Sequence, residues 1–134
     1  MKKCQVRDIS IHYIEIGEGK PILFIHGWSP DHRMMRGCFE PIFSEKKGYR
    51  RIYLDLPGMG QTPVKSWIQN SDDILEILCE FIHHVIRNKT SSDLHLLLID
   101  IITSESINII PNYPVYNCNH SKKSFFVIPE FIFE

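Results

Sequence analysis

Two apolar strands, each running straight into a glycine-bearing turn, constrain this chain more than any other feature. The first is Ile22-Leu23-Phe24-Ile25, followed at once by His26-Gly27-Trp28. The second spans Arg51 to Leu56 and leads into Asp55-Leu56-Pro57-Gly58-Met59-Gly60-Gln61-Thr62, about one βα unit later. A short continuous apolar run is typical of a strand covered on both faces. Sheets of that kind carry ligands beyond the carboxyl ends of their strands. A sharp turn at that edge can aim backbone N–H groups at a developing negative charge.

The flanking segments agree with such a sheet. Gln5 to Ile16 reads as a two-stranded opening, with β-formers on either side of a turn at Asp8. Gly17 to Lys20 is a turn, and Ser29-Pro30-Asp31-His32 is a loop. A short helix is expected near Cys38 to Ser44, limited by Pro41. The clearest helix begins after Asn70-Ser71. Either residue can cap it, and Asp72 and Asp73 suit its positive end. Ile74, Leu78, Phe81, Ile82 and Val85 then share one face, with a stop at Asn88-Lys89. Leu94 to Ile99 is the next strand. Strands alternating with helices in this way predict an α/β fold, with a sheet whose central strands are mostly parallel.

After Asp100 the character changes. Thr103 to Ser124 shows no helical or strand period, and two short apolar runs flank Pro129. These runs would be edge strands or a poorly ordered tail. The expected organisation is therefore residues 1–100 as the folded unit and 101–134 as a divergent, irregular tail.

Composition narrows the classes. An apolar fraction of 43% over 134 residues is enough for one core. A net charge of −1 gives no electrostatic reason to expect nucleic acid or an acidic membrane as partner. The four cysteines, Cys4, Cys38, Cys79 and Cys118, are too widely spaced for a stapled scaffold and read as reduced thiols. Met1-Lys2-Lys3 is not followed by the apolar region of a secretory signal, so the cytosol is the expected location. His83 and His84 follow Cys79 and Glu80 at helical i, i+4 spacing, a geometry that could hold a metal. The helical pattern favours a partly exposed pair instead, and neither a metal nor a cofactor is expected. Lys46-Lys47 and Arg50-Arg51 read as a solvated basic loop.

Residues 9 to 86 resemble the front of the α/β-hydrolase fold family. The resemblance rests on Ile22 to Trp28, on Tyr53 to Thr62, and on the helix from Asn70, in that order. It implies that the Trp28 backbone N–H is one donor of an oxyanion hole and that Gly27 lets the chain approach substrate closely. Trp28 would also line the acyl pocket. His26, Asp55, Pro57, Gly58 and Gly60 are implied to shape the two turns, with Asp55 bonding loop N–H groups. The implied chemistry is hydrolysis of an ester, amide or similar bond in a small-molecule substrate by a serine nucleophile.

The same resemblance places a G-x-S-x-G elbow directly after the fifth strand. Here that position reads Asp100-Ile101-Ile102-Thr103-Ser104-Glu105-Ser106, and no glycine follows Gly60. Elbow serines need relief from backbone crowding, and β-branched neighbours supply none. Neither Ser104 nor Ser106 is expected to be a nucleophile. Glu105 and His120 are badly placed as the remaining acid and base. The expectation is a truncated or frameshifted hydrolase with no activity as this chain. The alternatives are a non-catalytic protein that associates, with itself or a partner, through an unpaired sheet edge, or an enzyme completed by another polypeptide.

Overall fold

The computed structural model describes residues 1–87, together with the backbones of three short strands at 95–98, 115–118 and 123–126. The chain opens with β1 (Lys2–Val6) and β2 (Ile9–Ile16), an antiparallel hairpin whose two-residue turn is Arg7-Asp8. Next come β3 (Lys20–Ile25), α1 (His32–Phe39), a 3₁₀ turn (Glu40–Phe43) and β4 (Tyr49–Leu54). The long helix α2 (Ser71–Ile82) continues as a π-helical segment, His83–Arg87, before β5 (His95–Leu98). The five strands form one sheet in the order β1-β2-β4-β3-β5. β3 runs parallel to both β4 and β5, and β2 is antiparallel to β4. The α/β fold with parallel central strands is therefore observed.

The period-2 alternation of β3 and β4 sorts their side chains into two cores. Leu23, Ile25, Ile52 and Leu54 pack with Ile77 and Phe81 of α2. Ile22, Phe24 and Tyr53, which alternate with them along the strands, pack with Met35 and Phe39 of α1. The second core is aromatic: the Phe24 and Tyr53 rings stack at 4.4 Å between centroids. Burial on both faces is why these strands read as unbroken apolar runs.

Three local expectations need correction. The first helix lies earlier than Cys38 to Ser44. Asp31 caps α1 by accepting from the Arg33 N–H at 2.9 Å, and Met35 and Phe39 repeat at i, i+4 on its buried face. Pro41 instead opens the 3₁₀ turn, where its missing N–H is harmless. Second, the buried stripe of α2 centres on Ile77 and Phe81, with Ile74, Leu78 and Ile82 only partly buried beside it. The wider π turn then brings both Val85 and Ile86 into the core. Third, Arg50 and Arg51 are not a solvated loop but buried strand residues. Arg50 Nη2 donates to Glu15 at 2.9 Å and to the Val85 carbonyl at 3.0 Å. On the opposite face Arg51 forks onto Glu40 at 2.7 and 3.1 Å, and the Tyr53 hydroxyl donates to the same carboxylate at 2.7 Å. Each buried guanidinium is paired with a partly buried carboxylate, the condition under which burial is tolerated.

The Asn70 cap is present as a full capping box: Asn70 accepts from the Asp73 N–H while Asp73 accepts from the Asn70 N–H. Beyond Arg87, the strand expected at Leu94 to Ile99 is β5. Within the expected tail, β6 (Val115–Cys118) and β7 (Lys123–Phe126) pair antiparallel in a separate two-stranded sheet. β6 falls in a stretch without sequence period, because four residues are too few to display one. The Asn88-Lys89 stop and the apolar run after Pro129 lie outside the described residues.

Gly37 is exposed within α1, and a Cβ added there meets nothing within 4 Å. Gly37→Ala is therefore expected to stabilise the protein by about 0.5–1 kcal/mol, through the lost backbone freedom of the unfolded chain. A urea midpoint that fails to rise would contradict this.

Candidate functional site

Both informative turns sit where the sequence predicts, beyond the carboxyl ends of the parallel strands β3 and β4. The structure adds the bonds that join them. His26 is 1% exposed, and its Nε2 accepts from the Leu56 N–H at 3.0 Å. That N–H can only donate, so the proton of the ring is on Nδ1, which donates to the Gly27 carbonyl at 2.8 Å. One imidazole thus ties the end of the first strand to the start of the second turn. Burial pushes its pKa below the usual imidazole range, against the opposing pull of the Gly27 carbonyl, Asp55 and Asp31.

Asp55 is fully buried. Its Oδ1 accepts from both the backbone N–H and the ring Nδ1–H of His32, each at 2.8 Å. Oδ2 accepts from the Gln61 N–H at 2.9 Å. The carboxylate therefore holds its own turn closed and also anchors the first residue of α1. Gly60, at φ 55°, closes over it: a Cβ there would lie 2.3 Å from both Cγ and Oδ2. Gly58 takes φ 79°, and Pro57 lies between the two anchored residues Leu56 and Gly58. Thr62 completes the turn. Its hydroxyl accepts from the His12 N–H at 2.9 Å, and the His12 carbonyl accepts from the Asp55 N–H at 2.9 Å. The second turn is thus fastened to β2 as well as to α1.

The first turn is less enclosed. Gly27 is buried, whereas Trp28 is 72% exposed. The left-handed position of this loop is filled by Ser29, at φ 85°. A non-glycine residue there is strained by about 1 kcal/mol or more, a pattern that clusters at functional sites.

Asp31, His32 and Asp55 bring their ligand atoms within 4.8 Å of one another. Arg33 forks onto Asp31, with contacts of 2.6 to 3.1 Å, and holds its carboxyl at about 2. His32 already occupies one oxygen of Asp55, so this cluster is an internally satisfied hydrogen-bond network. Cys79, Glu80, His83 and His84 are not drawn together in this way; Arg7 engages Glu80 at 2.7 Å, and the two imidazoles lie 5.9 Å apart. Ser104, Glu105, Ser106 and His120 lie outside the described residues.

The roles of Asp31, His32 and Thr62 go beyond the sequence expectations. Asp31 and His32 read as loop residues, although an Asp before apolar residues at i, i+4 spacing is a cap signal. Thr62 belongs to the second turn, but its bond to His12 has no local signal, because that partner lies fifty residues earlier in the chain.

No protein-family model matches the sequence. The chain is 34% identical over 71 residues to a pimeloyl-[acyl-carrier protein] methyl ester esterase of Legionella pneumophila (strain Corby), a match covering 52% of this chain and 28% of the esterase. Among solved structures it is similar to an alpha/beta superfamily hydrolase from Oenococcus oeni PSU-1, at 46% identity and a TM-score of 0.54, over 64% of this chain and 31% of that one. It is also similar to the Cif epoxide hydrolase from Acinetobacter nosocomialis, at 27% identity and a TM-score of 0.61, over 75% and 30% of the two chains. The chain spans less than a third of the length of each of these proteins.

Two outcomes test this geometry. Gly60→Ala is expected to destabilise by about 2–4 kcal/mol, because the new methyl overlaps the Asp55 carboxylate and the left-handed backbone becomes strained. A urea midpoint within error of the parent would contradict it. The second outcome concerns pH. Since the folded-state pKa of His26 is lowered, the unfolded chain takes up that proton first as pH falls below about 6.5. Its contribution to stability is complete above that value and declines as pH falls towards the folded pKa. His26→Asn should therefore lose less stability than the parent between about pH 7.5 and 5.5. Parallel stability–pH curves would refute this.

Proposed function

The chain carries the N-terminal part of an α/β-hydrolase fold, and on that premise we propose that Gly27 and Trp28 form the first half of an oxyanion hole. The parent activity of this reading is hydrolysis of an ester, amide or similar bond in a small molecule by a serine nucleophile. The observation that carries it is the buried His26 imidazole, which anchors the carbonyl of Gly27 and so orients the planar Gly27–Trp28 peptide. The Trp28 N–H belongs to that same peptide and points away from the anchored carbonyl. A preorganised donor of this kind stabilises a tetrahedral oxyanion, and losing one typically costs about 3–4 kcal/mol of barrier.

The oxyanion turn does not select the bond that is cleaved. An esterase and an epoxide hydrolase are both similar to this chain, over 52% and 75% of its length. Selection falls to the nucleophile and the pocket walls, which come later in such folds. In this sequence no G-x-S-x-G follows β5. The proposal is therefore that the 134-residue chain does not hydrolyse esters by itself.

The position of β5 favours a second reading. It is the last strand in the sheet order and pairs on one side with β3 among the described strands. An edge of that kind can accept a strand from a partner or from a second copy. A monodisperse dimer in analytical ultracentrifugation would support it, and a monomer across micromolar concentrations would count against self-association.

The principal test is treatment of the purified chain with a fluorophosphonate probe. The expected result is no labelling above a heat-denatured control. Labelling that disappears in Ser104→Ala or Ser106→Ala would overturn the proposed inactivity.

A further inference from the structure

The five residues from Gly27 to Asp31 lie between two histidines. His26 precedes them and His32 follows them. Both imidazoles are buried, and they reach consecutive residues at the end of β4. His26 Nε2 accepts from the Leu56 N–H at 3.0 Å, and His32 Nδ1–H donates to Asp55 at 2.8 Å. The segment is thus held at both ends by the first residues of the second turn, directly after β4. Within it Ser29 is kept at φ 85°, a conformation its own side chain disfavours. Such strain persists only where the surroundings over-determine it, and the two imidazole bonds act here together with the His32 backbone bond to Asp55 and the Asp31 cap.

We propose that His32 is a positioning residue, the second half of a two-histidine clasp that fixes the Gly27–Asp31 loop. The functional meaning of the clasp rests on the reading of Trp28 as an oxyanion donor. His32 itself touches no reacting atom in this scheme. It acts through Asp55, which takes two bonds from His32 on one oxygen and one from Gln61 on the other. The ring bond is the part a substitution can remove, since the backbone N–H remains. An asparagine amide can donate where Nδ1–H does, whereas leucine cannot.

The test is ¹⁵N relaxation on the full chain. In the parent, the Trp28 and Ser29 amides should be rigid, with order parameters near about 0.85. His32→Leu should drop them below about 0.6, while amides of β3 and β4 keep their parent values. His32→Asn should restore the loop. Unchanged Trp28 and Ser29 order parameters in His32→Leu would overturn the proposal, and so would a failure of asparagine to restore them. Should the variants not fold, the parent alone decides. Long-range ¹H–¹⁵N spectra must show the proton on Nδ1 in both His26 and His32; a proton on Nε2 of a neutral imidazole at either position refutes the clasp. Adding phenylphosphonate, a tetrahedral oxyanion mimic, separates the two claims. A Trp28 amide proton that shifts in a loop which His32→Leu leaves rigid supports the oxyanion reading and overturns the clasp, whereas a shift that His32→Leu abolishes together with loop rigidity supports both.

Discussion

The buried carboxylate of Asp55 is the constraint from which the carboxyl edge of this sheet takes its shape. A carboxylate removed from water must have its oxygens satisfied, or the cost runs to several kcal/mol. Here the donors are the His32 backbone, the His32 ring and the Gln61 backbone. Each belongs to a different requirement of the fold. The Gln61 bond closes the second turn, the His32 backbone bond starts α1, and the ring bond holds the end of the first turn. Gly60 lacks a side chain because that space is already taken by the carboxylate.

The two cores explain why that edge can be rigid. β3 and β4 are packed on one face by α2 and on the other by α1. The backbone positions from which both turns depart are therefore fixed before the turns begin. Buried arginines reinforce the arrangement from below. Arg50 reaches the carbonyl of Val85 in the π-helical segment, and Arg51 grips Glu40 behind the first helix. The hydrogen bonds of His26 and Asp55 are then made between elements that cannot drift apart.

Much of this was legible in the residues. The apolar runs announced doubly covered strands, and the Asn70 cap and the spacing after it announced α2. The two glycine-bearing turns, taken in order, carried the resemblance to hydrolases. The losses came from features whose partners are distant in sequence. Arg50 and Arg51 look like a solvated pair until Glu15 and Glu40 are placed beside them. α1 lies upstream of the helix expected at Cys38 to Ser44 because Pro41 dominates the local pattern there, while the true cap, Asp31, sits in a segment rich in loop residues. Ile77 lies three residues after Ile74 and four before Phe81, so it belongs to the expected face of α2, and only the entry of Ile86 beside Val85 needs the π turn.

The sequence by itself determined the order of strands and helices as far as β5, the two-faced burial of β3 and β4, and the position of both turns. Those are consequences of local periodicity and of residues that punctuate the backbone. Only the tertiary structure decided what the polar residues of the turns do. His26, His32, Asp55 and Thr62 are the same letters in a solvated loop or in a buried network. The difference is made by contacts 23 to 50 residues apart, which no local pattern encodes and which form only once β2, β3 and β4 lie side by side.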